Sequence, residues 1–362
     1  MGSALAKDKR ASDRVARSPG AIRVMVVDDS ITARSAIVRT IDSRRDMQVV
    51  ATAGSAEVAL ELLDDRRVDV ILLDLEMPGM GGLKALPDIL RKANGAKVLV
   101  VSTLTTAGAE PTLAALAMGA ADTLAKPRTG TFGEAYRADL LEKVAGLAQV
   151  EQSPLPRRVA PPPAARRGIA RKPGVIAIGA STGGIHALGR FFGALSPQIR
   201  APILITQHLP HAFMPVFARQ ISTMSGRSAH VAEEGMVLKE NEIFIAPGDG
   251  HLMLRECEAG VAITIAKLDV ASGCCPSVDP MFEAVANFFG TKGMGVVLSG
   301  MGRDGSVGGR LLNEVGGTLL AQNEESCAVF GMPRGIVEAG IAASIDTPEA
   351  LADLIGIQAG VS

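Results

Sequence analysis

Tryptophan is absent from the 362 residues, tyrosine occurs once, and aromatic residues make up only 3% of the chain. So few aromatics provide no stacking platform for single-stranded nucleic acid. A net charge of −1 likewise leaves no whole-chain attraction for nucleic acid or an anionic membrane surface. No apolar run approaches the roughly 20 residues of a membrane span. The first twenty residues are polar and charged, without the apolar stretch of a secretion signal. These absences predict a cytoplasmic protein with no direct membrane insertion. Cysteine is scarce too: Cys257, Cys274, Cys275 and Cys327 suit a reducing compartment, and their spacing matches no zinc motif. The chain also lacks a Gly-Lys-Ser/Thr phosphate signature and a basic recognition helix in its second half, which disfavours a nucleotide-binding or DNA-binding output.

What is present is hydrophobic mass, 47% of the residues, enough for two cores. We divide the chain into a flexible tail (1–20), a first domain (21–149), a linker (150–173) and a second domain (174–355). In the first domain, Ile22 to Val27 reads as a buried strand ending in Asp28-Asp29-Ser30, and Val70 to Leu73 as another ending in Asp74. Lys97 to Val101 runs into Ser102-Thr103, and a short strand precedes Lys126-Pro127. Five alternating β and α units predict a parallel sheet with helices on both faces, whose ligands bind beyond the strands' carboxyl ends. Asp28, Asp29, Asp74, Thr103 and Lys126 all fall there. Crowded carboxylates repel and so invite a hard cation with oxygen ligands, Mg²⁺ being the natural choice. A carboxylate can then take a phosphoryl group, with Lys126 and the Thr103 hydroxyl stabilising the new oxygens.

The linker holds Pro154, Pro156, Pro161-Pro162-Pro163 and Pro173 among alanines and arginines, a composition that favours an extended spacer. Beyond it, Val175 to Ile178 leads into Gly179-Ala180-Ser181-Thr182-Gly183-Gly184. A serine on such a glycine-lined strand-to-helix corner suits a nucleophile, and the same corner suits a bound anion. Two further strands bear on the choice: Pro202 to Gln207 leads to His208, and Gly295 to Gly300 leads through Met301-Gly302-Arg303 to Asp304. As parallel neighbours, these strands would bring Ser181, His208 and Asp304 together as nucleophile, base and orienting carboxylate. The backbone amides of Thr182 and Met301 are the candidate oxyanion donors. Ala246-Pro247-Gly248-Asp249-Gly250 reads as the turn of an antiparallel hairpin joining Glu242–Ile245 to Leu252–Leu254, which would carry His251. Asp279, before Pro280, reads as a helix N-cap.

These motifs carry a resemblance. Asp28-Asp29, Asp74-Leu75-Glu76-Met77-Pro78-Gly79-Met80, Thr103 and Lys126-Pro127 resemble a response-regulator receiver domain. That likeness implies a flavodoxin-like fold with Asp74 as phosphoacceptor and Asp29 as a direct Mg²⁺ ligand. It also implies Asp28 acting through water, the Glu76 carbonyl completing the shell, and Thr103 and Lys126 as switch residues. Gly81 departs from the pattern, standing where Asp is usual. The Gly179–Gly184 corner, Thr206-Gln207-His208-Leu209-Pro210, Pro276-Ser277-Val278-Asp279, Ser299 to Gly305 and Phe330-Gly331-Met332-Pro333 together resemble the chemotaxis protein-glutamate methylesterases. That resemblance implies a doubly wound α/β esterase domain, with Ser181, His208 and Asp304 as its triad and no cofactor for the ester chemistry. It further implies γ-glutamyl methyl esters on chemoreceptor cytoplasmic helices as substrate, glutamine deamidation as a second activity, and a chemotaxis histidine kinase as phosphodonor in two-component signalling. Gly273-Cys274-Cys275 departs from the family's polar loop, and Phe330 stands where Tyr is frequent.

Overall fold

The computed structural model describes residues 20–102, 106–126, 133–148 and 172–361. The N-terminal tail except Gly20, and the linker except Lys172 and Pro173, lie outside these, as does Thr103. The first domain runs β1 (Ile22–Val27), α1 (Ile31–Ile41), β2 (Met47–Ala53), α2 (Ala56–Asp65), β3 (Val70–Asp74), α3 (Gly82–Lys92), β4 (Lys97–Ser102), α4 (Thr106–Met118), β5 (Asp122–Ala125) and α5 (Glu134–Ala148). Its strands form one five-stranded sheet in the order β2-β1-β3-β4-β5, every pairing parallel. Strand β3 is buried at every position, as its unbroken Val-Ile-Leu-Leu run requires when helices cover both faces. Ser30 and Ser55 open α1 and α2 by accepting the amides of Ala33 and Val58. Register pairs Val27 with Leu73, so the strands of Asp28 and Asp74 end side by side.

The second domain carries β6 (Val175–Ala180), α6 (Gly184–Ala194), β7 (Ile203–Gln207), α7 (Met214–Ser225), β8 (Ser228–Val231) and β9 (Glu242–Ile245). It continues through β10 (His251–Cys257), β11 (Gly260–Ala266), α8 (Val278–Phe289), β12 (Gly293–Val297), α9 (Ser306–Glu314), β13 (Thr318–Gln322), α10 (Met332–Glu338), β14 (Ser344–Asp346) and α11 (Pro348–Ala359). Seven of these strands form a parallel sheet in the order β14-β13-β12-β6-β7-β9-β8. From β6 the chain passes to β7, then to the edge strand β8 and back to β9 between them on one side and, after returning, winds outward through β12 to β14 on the other. The winding direction reverses at β6, and a crevice opens there at the strands' carboxyl ends. Among the described residues no helix is long and apolar enough to cross a membrane.

The expected hairpin forms with different partners. Glu242–Ile245 is not paired with the strand after the Pro247-Gly248 turn; it joins the main sheet parallel to β7 and β8. The antiparallel hairpin is β10 with β11, turning at Glu258 and Ala259. Ile243, Phe244 and Ile245 are buried, so this short apolar strand gains more inside the sheet than in a two-stranded ribbon.

The two domains share apolar surface. Helix α4 buries Ala109, Leu113 and Leu116 in one cluster with Ile185 and Leu188 of α6 and Phe217 of α7. Helix α5 buries Leu140, Val144 and Leu147 in another that includes Val329 and, at its edge, Met301.

Candidate active site

Ser181, His208 and Asp304 follow the adjacent strands β6, β7 and β12, and the structure brings all three together. His208 Nδ1 stands 3.1 Å from Ser181 Oγ, and His208 Nε2 stands 2.8 Å from Asp304 Oδ2. Since a carboxylate only accepts, Nε2 carries a proton, and in the neutral ring Nδ1 is left to accept from the serine hydroxyl. The two ring nitrogens thus exchange the roles they hold in chymotrypsin-type triads.

The Asp304 side chain is only 2% exposed, and its charge is held by a dense set of donors. Besides His208, Oδ1 accepts from Ser277 Oγ at 2.6 Å and from the Gly305 amide at 3.0 Å, while Oδ2 accepts from the Val278 amide at 2.7 Å. Burial opposes ionisation, but His208, Ser277 and the Val278 amide outweigh it and hold the carboxyl at about 2. His208 responds in the opposite sense. Burial disfavours its charge, yet Asp304 and the neighbouring Cys274 sulfur outweigh burial and push the imidazole up to about 9.

The serine corner needs its glycines. Gly183 has φ +78°, and a Cβ there would lie 2.4 Å from the Ala328 methyl. A Cβ on Gly300 would meet Met332 Sδ at 2.3 Å and Ser181 Cβ at 3.0 Å, so the loop after β12 rests directly on the serine. Ser299 Oγ donates to the Thr182 carbonyl at 2.7 Å and receives the amides of Ala328 and Val329, which ties the two corners together. Among the described residues the amides of Thr182 and Met301 donate to no protein acceptor. The amides of Gly183 and Gly184 are committed, to Ala121 O and Ser181 O. The corner therefore lacks the row of free amides that a phosphate cradle requires.

Several residues act here without having been expected from the sequence. Ser277 bonds Asp304, and its amide donates to Nδ1 of His251 at 3.0 Å. His251 is buried, with Nε2 held on the Leu268 carbonyl at 2.9 Å, so it supports the Ser277 turn and does not touch Ser181. A serine opening the proline-bearing helix α8 was the available signal for Ser277. Asp279 is not the N-cap of its own helix, a place taken by Ser277. Its carboxylate instead accepts the Val307 and Gly308 amides at 2.9 and 2.8 Å, capping α9 from the side.

In the first domain, the carboxylate oxygens of Asp28, Asp29 and Asp74 lie within 4.8 Å of one another. Asp28 and Asp74 are buried, and burial pushes both carboxyls above their usual range although Lys126 opposes it. Lys126 Nζ bonds Asp74 Oδ2 at 2.5 Å, and the Glu76 amide donates to Asp74 Oδ1 at 2.9 Å. Crowded hard oxygens lacking sufficient positive charge are the donor set a Mg²⁺ ion fits. Gly81 has φ +73° at the start of α3, a conformation that Asp would adopt less readily.

The domains meet at the serine corner. Asp122 of β5 accepts from Thr182 Oγ1 at 2.6 Å while paired to Lys143 at 3.0 Å, and Ala121 O accepts the Gly183 amide at 2.6 Å. His186 donates from Nδ1 to Ala117 O at 3.0 Å, and Arg219 pairs with Glu110 at 2.7 Å. The Met301 side chain packs so closely on α5 that a Cβ on Gly146 would lie 2.1 Å from its methyl.

Fold and site together define a two-domain protein in which a receiver packs against a hydrolytic α/β domain. The family model for the response regulator receiver domain matches residues 24–132, and that for CheB methylesterase matches residues 176–355. The chain is 38% identical over 356 residues to a Rhodospirillum rubrum protein named protein-glutamate methylesterase/protein-glutamine glutaminase 1, covering 90% of this chain and 92% of that one. It is 40% identical over 330 residues to protein-glutamate methylesterase/protein-glutamine glutaminase 2 of Caulobacter vibrioides, covering 90% and 95%. Among solved structures, the Thermotoga maritima CheB methylesterase catalytic domain aligns with TM-score 0.49 and 32% identity, covering 51% of this chain and 98% of that one. The chain belongs to the protein-glutamate methylesterase/protein-glutamine glutaminase family.

Replacing Ser277 with alanine leaves a lone pair of the buried Asp304 carboxylate without its hydroxyl donor. The expected cost is about 1–3 kcal/mol of unfolding free energy, read from urea denaturation of Ser277→Ala against the parent chain.

Proposed function

We propose that this chain hydrolyses γ-glutamyl methyl esters on chemoreceptor cytoplasmic helices, deamidates particular glutamines there, and is activated by phosphorylation of Asp74. The observation that carries the chemistry is the unbroken hydrogen-bonded chain from Ser181 Oγ through His208 to the buried Asp304. Ser181 Oγ attacks the ester carbonyl as His208 Nδ1 takes its proton, and Asp304 stabilises the imidazolium. The tetrahedral oxyanion falls to the free amides of Thr182 and Met301. Collapse expels methanol, which takes the proton from His208 and leaves an acyl-serine. Water, deprotonated by the same nitrogen, then attacks the acyl group and releases the glutamate. A glutamine amide follows the same course with ammonia as the leaving group.

Regulation follows from the shared surface. The receiver holds both oxyanion residues, Thr182 through Asp122 and Met301 against Gly146. Strand β5 links the two ends of the switch, since Asp122 begins it and Lys126 follows it in contact with Asp74. Asp29 and Asp74 directly, Asp28 through water and the Glu76 carbonyl would hold Mg²⁺, which would supply positive charge for the oxygens of the incoming phosphoryl group. A chemotaxis histidine kinase is the phosphodonor. The phosphoryl group on Asp74 draws Lys126, with Thr103 as its companion, and the movement passes along β5 to free Thr182.

A methanol-release assay on methylated receptor tests the chemistry: Ser181→Ala is expected to lose at least about a thousandfold in kcat. Activity equal to the parent would sink the triad. Because the base must be unprotonated and its pKa is raised, kcat/KM should climb about tenfold per pH unit from neutrality and level near pH 9. The Ser181→Ala rate is subtracted at each pH, and a plateau already reached by pH 7 would contradict the raised value. Asp122→Ala cuts the tie to Thr182, so unphosphorylated activity should rise severalfold while Asp74→Asn stays at the basal rate with a small phosphodonor present. Equal basal rates in Asp122→Ala and the parent would exclude this tie as the restraint.

A further inference from the structure

Beside the triad lies a cavity of about 350 Å³ lined by His208, Leu209, Pro210, Gly248, Cys274 and Cys275. The ester chemistry needs neither thiol. Yet Cys274 Sγ, a His208 ring nitrogen and an Asp304 carboxylate oxygen all lie within 4.8 Å of one another. One sulfur, one imidazole nitrogen and one carboxylate oxygen match the ligands that Zn²⁺ takes in tetrahedral sites. Around such an ion neighbouring donor atoms stand about 3.5 Å apart, so rotation of Cys274 draws its sulfur inward while the His208 Nε2–Asp304 Oδ2 pair, now 2.8 Å apart, opens to admit the ion.

The surroundings favour the same occupant. Cys274 is half-buried, and its thiol donates only a long bond to the Ser272 carbonyl at 3.7 Å, so it gives up little on turning inward. Asp304 keeps Ser277 Oγ and the amides of Val278, Asp279 and Gly305, which fix the carboxylate as outer partners fix a metal ligand. Cys275 is exposed on the same cavity and marks the way in.

We propose that Cys274, His208 and Asp304 form an inhibitory Zn²⁺ site. The ion replaces the thiol proton of Cys274, which leaves to solvent, and the proton that His208 Nε2 shares with Asp304, which passes to Nδ1, and its fourth position is filled by water. His208 is then no longer available to Ser181, and ester hydrolysis stops. The inhibitory half rests on His208 as the base; the binding half stands without it.

The test uses the full chain, reduced and freed of metal with EDTA. Zn²⁺ is titrated against a chromophoric chelator, and Co²⁺ is titrated separately, because a thiolate-to-cobalt absorption reports a metal–sulfur bond that the receiver carboxylates cannot produce. One ion bound with that absorption is expected, together with loss of methanol release at the same free Zn²⁺ and its recovery on chelation. Cys274→Ser should lose the absorption and need at least about tenfold more Zn²⁺ for half inhibition, each variant being compared with its own metal-free rate. Ser181→Ala should bind as the parent does, so binding is read even if the esterase reading fails, and Cys275→Ser should also keep the absorption. Cobalt bound without the sulfur band, a Cys274→Ser variant inhibited at the parent's Zn²⁺, or a site lost with Cys275 instead would each overturn the assignment. Full ester hydrolysis with the site occupied would overturn the inhibition.

Discussion

The second domain is arranged around one buried negative charge. An isolated carboxylate with 2% of its side chain exposed would take up a proton instead of remaining ionised. Asp304 keeps its charge because several elements deliver donors to it: β7 brings His208, and the first turn of α8 brings Ser277 and the Val278 and Asp279 amides. Helix α8 is placed in turn by His251 of the β10–β11 hairpin, which receives the Ser277 amide. Asp279, two residues beyond Ser277, caps α9, the helix that Asp304 and Gly305 introduce. The charge, the helix that feeds it and the helix that follows it therefore hold one another in place.

That mutual support makes the serine corner a rigid target for the receiver. With Ser299 tying Thr182 to the loop at Ala328 and Val329, a contact on either corner bears on both. The receiver makes a contact on each, Asp122 on Thr182 and α5 on Met301. Apolar burial along α4 and α5 supplies the bulk of the adhesion, while the few polar ties set register between the domains. An interface divided in this way can stay attached while one hydrogen bond is exchanged.

Much of this was legible in the sequence. Apolar strands, their terminal acids and the glycine corners are local signals, and strand burial is written in short Val, Ile and Leu runs such as Val70 to Leu73. Ser181, His208 and Asp304 were readable because each lies at the end of a strand in a parallel sheet, where side chains converge by topology. The hairpin was misread because Glu242–Ile245 is apolar enough to pair with either neighbour, and four residues carry no signal of which sheet will take them. Asp279 was misread because a capping residue looks the same whether it serves its own helix or another.

The sequence by itself determined two parallel α/β domains, the strand ends that carry Ser181, His208 and Asp304, and the acids around Asp74, since each is marked by a local signal, an apolar run and the residues that end it. Only the tertiary structure decided which imidazole nitrogen faces the serine, that His251 acts through Ser277, that Asp122 reaches Thr182 across the domain boundary, and that Cys274 stands beside His208 although cysteine spacing matched no metal motif. Each of those joins elements far apart in the chain, 60 residues in the case of Asp122 and Thr182. Such contacts are selected by the packing of whole faces and the need to satisfy buried polar groups, neither of which local periodicity encodes.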